Sequence, residues 1–238
     1  MSAVTGAFGE AFRLIASLDP DLLAIVELSL RVTLSAVLIS CLIGLPLGAA
    51  LALARFPGRS ALVVLFNALM GLPPVVAGLL VYLMLSRSGP FGFLALLFTP
   101  AAMIVAQTVL ITPIIVSLTR SVIEDLWTEY EDQLRSLGSS AMRAIPTLLW
   151  DGRFSLVTVI LAGLGRAMAE VGAVLIVGGN IAGHTRTMTT AIALETARGD
   201  LALALGLGII LLTLTLILNA GAFVSGRVAQ RAAGQAGA

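Results

Sequence analysis

The chain has 238 residues, 58% hydrophobic and only 11% charged, with a formal net charge of +1. The charge deficit is concentrated in residues 32–54, 60–86, 88–119 and 201–226, which hold no Asp, Glu or Arg in a chain that lacks Lys altogether; runs of that length suit helices crossing a hydrocarbon layer and exclude an ordinary soluble domain. A single cysteine, Cys41, and a single histidine, His184, exclude a disulfide framework and a Cys- or His-rich metal site, and the balanced charge gives no basic face for nucleic acid.

The first 20 residues lack the basic start and small-residue cleavage site of a secretory signal, so they are expected to persist in the mature protein. Phe8, Phe12, Ile15 and Leu18 recur at helical spacing away from Glu10 and Arg13, the pattern of an interfacial helix over residues 1–20. Asp19-Pro20 reads as a cap followed by a first-turn proline, opening a membrane domain over 21–226. Five spans are expected, at about 32–54, 61–85, 92–118, 154–178 and 201–224, followed by a tail over 227–238. The fold class is therefore an all-α integral membrane protein. Ser88-Gly89-Pro90 is short enough to make the second and third spans a tight hairpin.

Five spans put the 55–59 turn, the polar segment 120–153 and the tail on one side, with Arg55, Arg59, Arg120, Arg135, Arg143, Arg153, Arg227 and Arg231. The opposite side holds fewer arginines, which makes the first side cytoplasmic and the N-terminus external. The 120–153 segment has acids early, basic residues late, and apolar Leu134, Leu137, Ala141 and Ile145. That design fits a helix, around 126–145, that docks in a partner's groove, and equally an interfacial connector.

Candidate functional residues interrupt the spans. Pro73 and Pro74 break the second, where the alternatives are a packed kink and a bend beside a polar path. Arg166 and Glu170 lie one turn apart in the fourth; they form either a buried ion pair holding helices in register or part of a gate. After Gly178-Gly179-Asn180, the residues Asn180, Thr185 and Arg186 offer donors suited to an anion, or simply a capped turn with a solvated Arg. Gly44 and Gly48, at GxxxG spacing, allow close helix contact. No catalytic constellation and no cofactor or metal site is legible.

The run Gly165-Arg166-Ala167-Met168-Ala169-Glu170-Val171-Gly172-Ala173, continuing through Val177-Gly178-Gly179-Asn180-Ile181 to Thr189-Thr190-Ala191-Ile192-Ala193-Leu194-Glu195-Thr196, resembles the permease subunits of type I ABC importers, in the tungstate branch of the tungstate, molybdate and sulfate oxyanion permeases. Leu72-Pro73-Pro74-Val75-Val76-Ala77-Gly78-Leu79 and Leu137-Gly138 are similar to it as well. The resemblance implies the type I importer fold and a homodimer of permeases carrying an oxyanion by alternating access in a prokaryotic inner membrane. It also implies two cytoplasmic ATPase subunits that use the ATP and an extracytoplasmic oxyanion-binding protein. By the same resemblance, Asp132, Leu134, Leu137 and Gly138 form the ATPase-coupling motif; where the family has Glu-Ala-Ala, this chain has Asp132-Gln133-Leu134 and keeps only the acidic end. The chain has no Walker-type loop, so ATP chemistry would belong to another polypeptide, and this subunit is not expected to be an enzyme. The alternatives are a molybdate or sulfate permease, an ion-coupled secondary transporter using Glu170, and a structural subunit that transports nothing.

Overall fold

A computed structural model describes residues 19–236 together with Arg13, Ala16 and Ser17, and of residues 222 and 225–236 the backbone alone. The stripe of Phe8, Phe12, Ile15 and Leu18 lies outside the described residues. The described secondary structure is helical: α1 (Pro20–Leu53), α2 (Arg59–Leu69), α3 (Pro74–Leu85), a 3₁₀ turn (Gly92–Leu94), α4 (Pro100–Ser136), α5 (Ile145–Asp151), α6 (Arg153–Met168), α7 (Gly172–Gly178), α8 (Met188–Arg198) and α9 (Leu201–Ala236). Three of these helices, α1, α4 and Leu201–Gly221 of α9, are long and apolar enough to cross a membrane. Two bent pairs, α2–α3 at 107° and α5–α6 at 79°, bring the number to five if each pair is one span.

Local chemistry sets the helix ends. The Asp21 and Leu22 N–H groups donate to Asp19 Oδ1 at 3.0 and 3.1 Å, and Pro20 sits in the first turn, where a missing N–H costs nothing. At the other end of α1, Gly58 at φ 90° opens α2. The expected third span, 92–118, is helical only from Pro100. Before it come the 3₁₀ turn, Ala95 and Phe98 at positive φ, and Thr99, which a following proline disfavours from helical geometry. The expected second span, 61–85, is two helices, and the expected fourth, 154–178, is interrupted between Met168 and Gly172. The helix of α9 continues to Ala236, through most of the expected tail.

The chain forms two compact units. One holds the described residues up to Ala36, with Pro73–Gln107 and Arg166–Ile217; the other holds Val37–Leu72, Thr108–Gly165 and the described residues from Leu218 on. In the first unit, Leu22, Met188, Ala191 and Leu207 are buried together under Ile25, Val26 and Leu211. In the second, Ala49, Ala52, Leu53, Ile123, Ala144 and Leu148 form the core, flanked by Trp127, Tyr130 and Leu134.

Within the second unit, small residues let α1 and α4 approach closely. A Cβ on Gly44 would lie 2.7 Å from Ile115 Cγ2, and one on Gly48 would lie 2.6 Å from the Val116 carbonyl oxygen. The Ser40 hydroxyl donates to the Thr108 carbonyl at 3.4 Å and accepts from Thr112 at 3.3 Å. Where the surroundings are as apolar as the side chains, van der Waals contact and such bonds hold helices together, and burial adds little. On the outside, Leu38, Leu42, Leu212 and Leu216 are all more than half exposed, the apolar exterior that a lipid-facing protein requires.

Gly48→Ala is expected to destabilise the protein by about 1–3 kcal/mol, because the Val116 backbone cannot yield as a side chain would. Gly165→Ala, at a helical site with open space, is expected to be neutral or slightly stabilising. Thermal unfolding in detergent compares the two.

Candidate functional site

The apolar run of α6 stops at Met168, and α7 begins at Gly172. Between them the Glu170 side chain is only 2% exposed, and Arg166 Nη1 donates to its Oε2 at 2.7 Å. Glu170 Oε1 accepts the Ala173 N–H at 2.9 Å, so the carboxylate both pairs with Arg166 and caps the first turn of α7, where the helix dipole favours a negative charge. Two neighbours complete the break. Gln107 Nε2 donates to the Ala167 carbonyl at 3.2 Å, and the Thr189 hydroxyl donates to the Glu170 carbonyl at 2.8 Å.

Pro73 and Pro74 make the other sharp bend. Gly71 and Leu72 N–H close tight turns onto the Ala68 and Leu69 carbonyls at 3.1 Å, and Pro73 stands extended at ψ 126° with Pro74 at the first position of α3. The helix that follows packs directly on α7. A Cβ on Gly78 would lie 2.7 Å from Ala173 Cα, and one on Gly172 would lie 3.0 Å from Val75 Cγ2 and 3.7 Å from Pro74 Cβ. The structure therefore brings Pro74 against Gly172, two residues from Glu170.

The turn after α7 is built from its own polar groups. Gly179 and Asn180 take φ of 71° and 50°. The fully buried Thr185 hydroxyl donates to the Gly178 carbonyl at 2.6 Å and accepts the Ile181 N–H at 3.0 Å. Asn180 Nδ2 donates to the Thr190 carbonyl at 3.3 Å. Thr185 is thus committed to the turn itself. Arg186 instead stands 3.8 Å from Glu195, which Arg198 also holds at 3.1 Å, and it lines a cavity of about 750 Å³ with Arg31, His184, Asp21 and Asp200. A separate cavity of about 20 Å³ is lined by Glu170, so Glu170 and Arg186 border different spaces.

The residues expected to form a coupling motif, Asp132, Leu134, Leu137 and Gly138, sit where α4 ends. The expected helix over 126–145 is not continuous: α4 stops at Ser136, a turn follows, and α5 starts at Ile145. Gly138 at φ 77° is the reason. Its N–H bonds the Arg135 carbonyl at 2.9 Å, and Ser139 N–H bonds the Leu134 carbonyl at 2.9 Å, the paired bonds of a glycine-terminated helix. Asp132 is exposed, Leu134 packs on the second unit's core, and Leu137 projects with 82% of its surface exposed. Trp150, on α5, is 72% exposed.

Gln107 is a site residue that the sequence signals only by being an amide in a charge-free run, where a polar side chain needs a buried partner. No sequence signal marks Ser29, yet the Ser29 hydroxyl accepts the Met188 N–H at 2.7 Å and pins the start of α8 to α1. Among the described residues no group of three or more His, Cys, Asp or Glu could hold a metal ion.

Arg166→Met leaves the buried Glu170 carboxylate without its counter-charge and is expected to cost roughly 3 kcal/mol, at the low end for a buried pair because Arg166 itself is 30% exposed. Adding Glu170→Gln removes the stranded charge while keeping an acceptor for Ala173 N–H, so the double variant is expected to melt above Arg166→Met alone. A melting series on the parent and the two variants measures this.

No family model matches the chain. It is 41% identical over 185 residues to a probable anion ABC transporter permease protein of Haloferax volcanii, covering 76% of this chain and 80% of that one. It is 37% identical over 200 residues to the tungstate uptake system permease protein TupB of Peptoclostridium acidaminophilum, covering 84% and 88%. Identity falls to 28% over 207 residues with the sulfate transport system permease protein CysW of a Synechocystis species, covering 79% and 73%. With 37% and 41% identity across most of both chains, the protein belongs to the permease proteins of ABC transporters and is a multi-pass membrane subunit for transport rather than an enzyme.

Proposed function

We propose that this permease imports a tetrahedral oxyanion, tungstate in preference to molybdate or sulfate, across the cytoplasmic membrane of a prokaryote. The observation that carries the reading is the likeness to the tungstate permease of Peptoclostridium acidaminophilum, which spans 84% of this chain and exceeds the likeness to the sulfate permease. Two copies of the chain form the pathway, two cytoplasmic ATPases drive it, and an extracytoplasmic binding protein delivers the anion. The arginine-rich side, with the 120–153 segment, faces the ATPases.

The geometry suits alternating access. Bends at Gly71–Pro74 and at 169–171 divide apolar helices into shorter rods that can tilt without unravelling, and close packing of α3 on α7 keeps the two rods together. At the end of α4, Leu137 projects beyond its own fold, a knob available to an ATPase groove, with Asp132 exposed in the last turns of the helix and Gly138 setting the turn. Arg31 and Arg186, bordering the larger cavity beside Asp19, Asp21 and Asp200, supply positive charge on the external approach.

Vesicles holding this chain with its ATPase are expected to accumulate tungstate only when ATP and the binding protein are supplied. Uptake driven by a pH gradient without ATP overturns the reading in favour of an ion-coupled carrier. Leu137→Asp is expected to abolish tungstate-stimulated ATP hydrolysis while leaving the permease as stable as the parent, because the side chain contributes little to its own fold. A parallel measurement of ATPase rate and melting temperature tests that separation.

A further inference from the structure

The small cavity behind Glu170 has a volume of about 20 Å³. That holds one water and leaves no room for a polyatomic anion. Gln107 lines it, is 3% exposed, and its Oε1 has no hydrogen-bond partner. The amide cannot be turned round, because Nε2 donates to the Ala167 carbonyl at 3.2 Å and the reverse orientation would face two acceptors against each other. An acceptor left unpaired in so buried a place costs about 1–3 kcal/mol.

The other polar walls are neutral hydroxyl residues, Ser29, Thr33, Thr187 and Thr189, together with Glu170. A cation would find no free negative charge, since Glu170 is already paired with Arg166 at 2.7 Å, and that same pairing leaves nothing for an anion. We infer that an ordered water occupies this cavity, donating to Gln107 Oε1 and bridging α4 to hydroxyls of α1 and α8. This occupancy does not depend on which solute the permease carries. It means that the α6–α7 break is held partly by a molecule whose bonds can be exchanged without cost in buried, unpaired groups, as a moving joint needs.

Two walls of the cavity are thioethers, Met168 and Met188, which are 5% and 2% exposed. Met103, 0% exposed, lies outside it and serves as the dry reference. X-ray pulses on the full chain in lipid nanodiscs create hydroxyl radicals from water where it sits, and mass spectrometry reads methionine sulfoxide. Met168 and Met188 are expected to oxidise several-fold faster than Met103, and to fall toward its rate in Gln107→Leu. Should that variant not fold, Thr33→Val is expected to give a smaller fall of the same kind. Equal protection of all three methionines in the parent chain overturns the inference, as does oxidation that neither variant changes. Rates that drop when sodium replaces choline in the buffer identify a cation as the occupant and overturn it too.

Discussion

A helix interrupted among apolar neighbours must find partners for the backbone groups it frees, because hydrocarbon supplies none. Several polar side chains of the first unit meet that constraint at Ala169-Glu170-Val171. Glu170 caps α7 through Ala173 N–H, Gln107 takes the Ala167 carbonyl, and Thr189 takes the Glu170 carbonyl. The carboxylate that does the capping carries a charge, so Arg166 is needed one turn back. Thr189 is in place because Thr187 and Thr190 form a capping box at the start of α8, and Met188 N–H is tied to Ser29. The ion pair is thus one member of a set whose common purpose is to make a break tolerable. A bend whose freed carbonyls and N–H groups are bonded in this way can keep its shape while its two rods move.

A different solution appears in the second unit, where helix ends meet the polar segment. Arg59 donates to the Leu51 and Ala52 carbonyls at 2.8 and 3.0 Å, satisfying the last turn of α1 with a cation where the helix dipole favours one. The same guanidinium pairs with Glu124 on α4, which also pairs with Arg120. Each of these side chains is 19–33% exposed, so water screens the charges and the network adds modest stability. Its effect is geometric: the end of α1, the start of α2 and the middle of α4 are fixed by one three-residue cluster.

Composition alone located the long helices, because charge-free windows and helix length measure the same requirement. It was blind to direction. A hydropathy window averages over Gly71-Leu72-Pro73 without registering a 107° bend, and it passes over Phe98-Thr99-Pro100, where chain geometry delays α4 until Pro100. Pro73, Pro74, Arg166 and Glu170 could be singled out because each is costly in a span, and cost is legible residue by residue. The partners that relieve the cost were not. Gln107 lies 60 residues from Ala167 and Arg59 lies 65 from Glu124, separations that no local pattern encodes. Thr185 shows the opposite limit: its residue type suits an anion, yet the Gly178 carbonyl takes the single donor of its hydroxyl, leaving none for an anion.

The second unit also explains how a load at the coupling turn would be carried under the proposed role. Leu137 has nothing behind it but the end of α4, while Leu134, one turn earlier, packs on the cluster of Ala49, Ala52, Leu53, Ile123, Ala144 and Leu148. That cluster joins α1, α4 and α5 in one close-packed body of low compressibility, so a displacement of the turn cannot be absorbed as local strain. Glycine at 138 ends the helix by backbone bonding rather than by fraying, which keeps the knob stiff. A partner gripping the turn would move the ends of α1 and α4 together. Gly44 and Gly48, with Ile115 and Val116 against them, extend the same contact along both helices. Under that role the small residues in α1 would serve more than close approach: they would make two helices respond to one push.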